Sequence, residues 1–241
     1  MFTSAYWRTS RAPRYSLLFV FPLLVLYELL AFALSHDAFA GVRNGADVML
    51  KSVFVALGGR NGLIVFGFLL VGTGAALVWR DWRRAGGKLQ GRIFLGMAAE
   101  SVVYALLFGS VASILTGLIL NGGIALAVGG LASFDLPTQL MISLGAGLYE
   151  ELLFRVLLVS GLAWLGRRMG WSEVAAGVFA TLVGALIFSA FHYIGPYGDR
   201  LEAASFTFRA VAGVMFSGLY LLRGFGITAW THALYDVFLA I

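Results

Sequence analysis

The chain has 241 residues, of which 60% are apolar and 12% are charged, and its mean hydropathy is +0.89. These values exclude an ordinary soluble domain and indicate a membrane protein, since the length allows about six or seven spans of roughly 20 apolar residues each. The net charge is only +5, and the basic residues form short clusters beside apolar runs, so we expect no nucleic-acid partner. The chain contains no cysteine, which excludes thiolate nucleophiles and cysteine-ligated metal sites.

The hydropathy pattern predicts about seven transmembrane helices, and therefore a single all-α membrane domain, a polytopic helix bundle, over residues 1–241. The apolar segments lie at residues 15–35, 61–79, 93–120, 137–165, 173–192, 204–222 and 226–241.

Two stretches near the N-terminus need a separate interpretation. The amphipathic piece ADVMLKSVFVALGG, residues 46–59, is too short and too charged to span, so we predict that it lies on the membrane surface or re-enters the membrane. The sequence DAFAG, residues 37–41, has the small-residue pattern of a signal-peptide cleavage site. The preceding apolar run is long for a signal peptide and contains Glu28, so we predict that it is retained.

Positive charge predicts the orientation of the bundle, because lysine and arginine near span ends accumulate on the cytoplasmic side. With seven spans, the basic clusters fall on one face, and the opposite loop, residues 121–136, carries only Asp135. We therefore predict a cytoplasmic N-terminus and an external C-terminus. The missing second domain, the basic cytoplasmic loops and the compact length together suggest a prokaryotic inner membrane. The clusters comprise Arg8, Arg11 and Arg14, the basic residues between 80 and 92, Arg167 and Arg168, and Arg223.

The segment GLYEELLFRVLL, residues 147–158, places ionisable side chains inside a predicted span, where each is costly unless it is paired or faces water. On an α-helix, Glu151 and Arg155 share a face as an i,i+4 pair, and Glu150 points about a quarter-turn away. A buried ion pair accounts for Glu151 better than for Glu150. A carboxylate held near one arginine without pairing to it is a candidate general base, and Glu150 fits that description.

Two later spans carry histidine. In FSAFHY, His192 follows Phe188 by one helical turn, and a lone histidine near a helix end is more often a hydrogen-bonded or interfacial residue than a catalyst. In THALYD, His232 and Asp236 form an i,i+4 pair in which the carboxylate can hold the imidazole in one tautomer. A local hydrogen bond within the helix explains the second pattern equally well.

Taken together, the three patterns resemble the signature of the CAAX prenyl protease and bacteriocin-processing (CPBP, or Abi) family of glutamic intramembrane endopeptidases. The family signature is EExxxR, FxxxH, and HxxxN or HxxxD. In this chain it reads as Glu150-Glu151-x-x-x-Arg155, Phe188-x-x-x-His192 and His232-x-x-x-Asp236. The match covers residues 137–241, which would contain the catalytic core. The first 136 residues show only a membrane pattern.

The resemblance implies an endopeptidase in which Glu150 and His192 activate a water molecule inside a membrane-embedded cavity. His232 and Asp236 would line the oxyanion side, and Glu151, Arg155 and Phe188 would support the site. Family members often have asparagine where this chain has Asp236, and a carboxylate donates no hydrogen bond unless it is protonated. Asp236 is therefore expected to orient His232. The resemblance implies no cofactor, and it implies a membrane-anchored protein or peptide as the substrate.

Three alternatives stay open from the residues. Glu150, His192 and His232 could ligate zinc, although no HExxH motif is present. The same groups, with Glu28 and Glu100, could form the proton relay of a small secondary transporter, against which the chain shows no inverted repeat. A noncatalytic scaffold or immunity protein could keep the motif without using it. Straight spans also place Glu150, His192 and His232 at different depths, so the helices must tilt or break for the three to meet.

Overall fold

A computed structural model of the protein describes residues 4–34, 42–121, 134–195 and 198–241. Across these ranges the chain is helical and contains no strand, which confirms the predicted polytopic all-α bundle. The helices are α1 (Ser4–Arg11), α2 (Pro13–Leu34), α3 (Gly45–Gly58), α4 (Arg60–Ala85), α5 (Gly91–Leu120), α6 (Leu136–Gly145), a π-helical segment (Ala146–Val159), α7 (Ser160–Arg168), α8 (Glu173–Phe191), α9 (Ala203–Arg223) and α10 (Phe225–Ala240). The DAFAG stretch and most of the loop before Asp135 lie outside the described residues.

Five of the seven predicted spans correspond to helices that are long and apolar enough to cross a bilayer: α2, α4, α5, α8 and α9. The predicted span 137–165 corresponds to α6, the π-helical segment and α7, which follow one another without a break. The predicted span 226–241 corresponds to α10, whose 16 residues extend about 24 Å, less than the roughly 30 Å hydrocarbon core. The seven-span count therefore stays a prediction. Large apolar side chains such as Phe32, Leu57 and Phe68 face outward, as lipid contact requires.

Helix α10 lies at the centre of the bundle, where it packs against α2, α5, α6, α9 and the π-helical segment. Glycines allow this close packing. A Cβ atom on Gly147 would lie 2.3 Å from the carbonyl oxygen of Ala229, and one on Gly226 would lie 2.8 Å from the carbonyl oxygen of Ser16. In a bundle held together mainly by van der Waals contact, such small residues bring backbones together and so fix the position of α10.

The segment that carries Glu150 is π-helical over Ala146–Val159, whereas the sequence predicted an ordinary α-helix. Its hydrogen bonds reach five residues back, and the hydroxyl of Ser160 donates to the carbonyl of Arg155 in the same five-residue spacing. The α-helical wheel therefore does not apply to the angle between Glu150 and Arg155. Segments of this kind are uncommon and occur frequently at functional sites.

Helix α3 corresponds to the amphipathic piece at residues 46–59, and Ala46 and Asp47 in its first turn are buried in the bundle. The carboxylate of Asp47 accepts a hydrogen bond from Tyr27 at 2.7 Å and pairs with Arg43 and Lys51. Burial alone would lower the pKa of Arg43, but its hydrogen bond to Asp47 and the charge of Asp47 raise that pKa above its ordinary value. The start of α3 is thus anchored by charged groups. At its other end Gly59, with φ of 57°, turns the chain directly into α4.

Candidate active site

Glu150 projects from the π-helical segment toward α3 and the end of α8. It is 7% exposed, and its two carboxylate oxygens have different surroundings. Oε1 accepts a hydrogen bond from Nδ2 of Asn44 at 2.8 Å. Oε2 lies 3.9 Å from Nε2 of His192 and has no hydrogen-bond partner in the described part of the chain. One oxygen is held, and the other faces an imidazole nitrogen across a gap.

His192 is the residue that follows the last turn of α8, and its ring is fixed by its own helix. Nδ1 lies 2.9 Å from the carbonyl oxygen of Phe188, which can only accept, so Nδ1 carries the proton and donates. In the neutral ring Nε2 is then an acceptor. The FxxxH spacing therefore turns an unprotonated nitrogen toward Glu150.

Glu151 points toward α10 and has two partners. Its Oε1 lies 2.7 Å from Nδ1 of His232, and its Oε2 lies 3.3 Å from Nε of Arg155. The carboxylate of Glu151 accepts a hydrogen bond from Nδ1 and so fixes the His232 tautomer. The sequence reasoning assigned this task to Asp236, whose Oδ2 lies 3.6 Å from Nε2, within ion-pair distance but too far for a direct hydrogen bond.

Aromatic rings enclose the charged centre. The guanidinium carbon of Arg155 lies 4.3 Å from the ring centre of Phe188 and 5.3 Å from that of Phe216. The Phe188 ring also packs edge-on against both imidazoles, with centroids 4.9 Å from His192 and 6.3 Å from His232, and Phe216 stacks on His232 at 4.3 Å. Phe188 thus links the two histidine sites through one side chain.

The structure therefore brings Glu150 next to His192, and Glu151 next to both Arg155 and His232, although straight spans would separate them in depth. Two residues of the site were absent from the sequence reasoning, Asn44 and Phe216. Asn44 is the N-cap of α3, and an asparagine before a short amphipathic helix is a readable capping signal, but that signal does not indicate a partner 106 positions away. No sequence signal singles out Phe216 among the 20 phenylalanines.

Among the described residues, no group of three or more histidine, aspartate and glutamate side chains converges closely enough to hold a metal ion. The geometry therefore fits an acid–base pair better than the zinc site considered from the sequence.

The family model described as type II CAAX prenyl endopeptidase Rce1-like matches residues 131–238, somewhat less than half of the chain. This range contains all three motifs. Residues 131–238 are similar to the Rce1-like family. No curated protein and no solved structure matches the chain. The Rce1-like family is a protease family, which agrees with the resemblance in the sequence motifs, and the apolar helices make this chain an integral membrane protein. Asn44 lies outside the matched Rce1-like range.

Proposed function

We propose that the protein is an intramembrane endopeptidase of the glutamic type, in which Glu150 activates a water molecule without a metal ion. The observation that carries the proposal is the 3.9 Å separation between Oε2 of Glu150 and Nε2 of His192, two acceptors supplied by different helical elements. Two acceptors at this distance suit one bridging water that donates a hydrogen bond to each. The lone pairs of that water then point away from both groups.

Hydrolysis follows from this arrangement. The water oxygen attacks the carbonyl carbon of the substrate as one water proton passes to Oε2 of Glu150, giving a tetrahedral intermediate with a negatively charged oxygen. Glu150 then returns that proton to the departing amine as the carbon–nitrogen bond breaks. Burial strengthens both steps, because charge–dipole interactions grow in a low-dielectric site.

His232 is proposed to stabilise the negatively charged oxygen. With Nδ1 donating to Glu151, a second proton on Nε2 makes the ring an imidazolium, a strong hydrogen-bond donor. The carboxylate of Asp236, 3.6 Å from Nε2, favours that cation. Arg155 pairs with Glu151, which in turn contacts His232, so Arg155 acts on the reaction through two intermediaries and does not contact the substrate.

The proton-relay alternative assigned a part to Glu28 and Glu100, and both carboxylates are engaged in fixed ion pairs. Glu28 accepts from Tyr149 at 2.6 Å and from Lys51 at 2.9 Å. Glu100 binds the guanidinium of Arg223 through both of its oxygens. Carboxylates held by cations favour a structural role over repeated protonation, so we rank transport below proteolysis.

The proposed substrate is a membrane-associated protein or peptide. The family description names CAAX prenyl proteins as the substrate class, and a prenylated CAAX peptide is therefore the first probe. The proposed prokaryotic source makes a second probe necessary: a membrane-tethered peptide with an apolar C-terminal tail. We further propose that residues 137–241 form the catalytic core of a single domain and that the N-terminus is cytoplasmic.

The decisive experiment is the Glu150→Gln variant, assayed with both quenched-fluorescence peptides in liposomes. The amide keeps the size and the hydrogen-bonding capacity of the side chain but cannot take the proton of water, so cleavage should be abolished while folding is preserved. His192→Ala and His232→Ala should each lower kcat by about 10²-fold or more, and their combined effect should be smaller than the product.

The matched control is Glu173→Gln, which changes an exposed carboxylate at the far end of α8 and should leave cleavage intact. A strong chelator should have no effect on the unmodified protein. Cleavage that persists in Glu150→Gln would overturn the glutamic mechanism. Activity lost with the chelator and restored by zinc would assign these residues to a metal site, and proton-coupled uptake without cleavage would favour the transporter.

A further inference from the structure

Asn44 contacts the proposed base from outside the three motifs. Its side chain is buried, with 3% of the residue exposed, and its Nδ2 donates to Oε1 of Glu150 at 2.8 Å. This hydrogen bond joins the N-terminus of α3 to the π-helical segment. No other hydrogen bond to Glu150 is found among the described side chains.

The orientation of the Asn44 amide is set by its role as a helix cap. Oδ1 accepts a hydrogen bond from the backbone N–H of Ala46 at 2.9 Å, as the N-cap of α3 requires. Because that oxygen is engaged, the NH₂ group must be the end that faces Glu150. A cap and a donor to the base are thus two ends of one planar group.

The position of Asn44 is fixed by close packing as well. A Cβ atom on Gly145 would lie 2.7 Å from Cβ of Asn44 and 2.5 Å from the ring of Tyr27, so the absence of a side chain at Gly145 makes room for Asn44. One turn into α3, Asp47 is anchored by its ion pairs and by Tyr27. Asn44 therefore has little freedom to follow Glu150 if that carboxylate rotates.

We propose that Asn44 is a positioning residue of the hydrolytic site, which clamps Oε1 of Glu150 so that Oε2 alone faces His192 and receives the proton of water. This inference rests on the proposed endopeptidase function. Free rotation of an unclamped carboxylate would present either oxygen, or neither, to the water. Donation to the carboxylate also stabilises its charged form, which keeps Glu150 available as a base at lower pH.

Substitutions at Asn44 can remove the hydrogen-bond donor to Glu150 while they keep the N-cap of α3. Asn44→Asp and Asn44→Ser both retain a good N-cap residue, but neither places an NH₂ group on Glu150. In Asn44→Asp the new carboxylate faces Glu150 at hydrogen-bond distance. Because two negative charges so close repel each other, one of the two carboxylates stays protonated to higher pH. When kcat/KM of Asn44→Asp on the prenylated CAAX peptide is measured against pH, the acidic limb of the profile should lie roughly one pH unit or more higher than in the unmodified protein. In Asn44→Ser, kcat should fall about tenfold or more with little change in KM.

Other charged groups act on Glu150 and must be held constant in this comparison. They lie on α8, on α10 and on the π-helical segment itself, and neither substitution alters them. These groups are His192, His232, Asp236, Glu151 and Arg155.

A second measurement does not depend on a substrate. The infrared band of the protonated Glu150 carboxyl, assigned by its loss in Glu150→Gln, is followed against pH in the purified protein. Its midpoint should move to higher pH in Asn44→Ser, because a donor to the charged form is lost. The control is Ser172→Ala, which removes the N-cap of α8, where Ser172 accepts from Ala175 at 3.2 Å, roughly 30 Å along the helix from His192. It should lower stability without moving the midpoint.

Unchanged pH profiles and band midpoints in both Asn44 variants would overturn the inference, even if stability falls, since only the cap would then matter. That result together with an inactive Glu150→Gln would leave the proposed function standing. Cleavage by Glu150→Gln would instead refute the proposed function, and the infrared midpoint would still decide whether Asn44 clamps the carboxylate.

Discussion

At the scale of single residues, the two adjacent glutamates differ through their partners. Glu150 has an amide on one oxygen and a facing imidazole on the other, whereas Glu151 joins Arg155 to His232. Glu151 is fully buried and Arg155 is 1% exposed. Because Glu151 has two partners, a change at Arg155 alters both the folded state and the orientation of His232.

We predict that Arg155→Ala destabilises the protein by about 3–5 kcal/mol, because the buried Glu151 loses its cation. The double variant Arg155→Ala with Glu151→Gln removes the unpaired charge and should recover part of that loss. The measurement is the free energy of unfolding in detergent, determined for both single variants and the double variant. Full stability of Arg155→Ala would show that the ion pair is exposed or absent.

At the scale of helical elements, the π-helical segment and α10 form the framework of the site, because they carry both glutamates and His232. Their axes approach closely at Gly147, where a Cβ atom would meet the carbonyl oxygen of Ala229 at 2.3 Å and the backbone nitrogen of Ala233 at 2.7 Å. These are backbone atoms of a central helix and cannot move without displacing α10. The distance between Glu151 and His232 therefore depends on the absence of a side chain at this glycine.

The expected cost of Gly147→Ala is about 1–3 kcal/mol, since an added methyl group in a closely packed contact forces the helices apart. Gly177→Ala in α8 is the matched control, because a Cβ atom there meets nothing within 4 Å. Alanine favours a helix over glycine by about 1 kcal/mol, so the control should be neutral or stabilising. Thermal unfolding of the two variants in the same detergent measures the difference, and equal midpoints would contradict the close contact.

At the scale of the whole molecule, the basic clusters determine the predicted orientation in the membrane. Arg223 is part of one such cluster but is buried, where its guanidinium binds Glu100 and packs on the rings of Tyr6 and Trp7. It therefore joins α1, α5 and α9 at one end of the bundle. The predicted orientation therefore rests on other basic residues, such as the arginines at the ends of α4 and α7.

Reporter fusions test this orientation. A reporter placed after Arg84 and one placed after Arg168 should both report the cytoplasm, because both follow basic residues at helix ends. A reporter near Asp135 should report the opposite side. A cytoplasmic Asp135 would contradict the seven-span topology, and it would require a different number of crossings between α5 and α6.

The sequence alone determined the class of the fold and the identity of the motif residues. The lengths and positions of apolar segments are read from the order of residues, so the all-α bundle and most helix bounds followed without knowledge of any contact. The spacing of Glu150, His192 and His232 within their motifs was likewise readable, and it carried the resemblance to a protease family. The sequence also distinguished α3 from the spans, as a segment too short to cross a membrane, but it left the role of α3 open.

The tertiary structure decided how these residues meet. Close contacts at glycine bring α10 against the π-helical segment, and this packing places His232 within hydrogen-bond distance of Glu151. The sequence pattern had instead favoured Asp236 as the partner of His232. The contact between Asn44 and Glu150 joins residues 106 positions apart, and no local pattern encodes so distant a pairing. Periodicity fixes the direction of a side chain only relative to its own helix. The neighbour that it reaches depends on how the helices pack, which is a property of the whole chain.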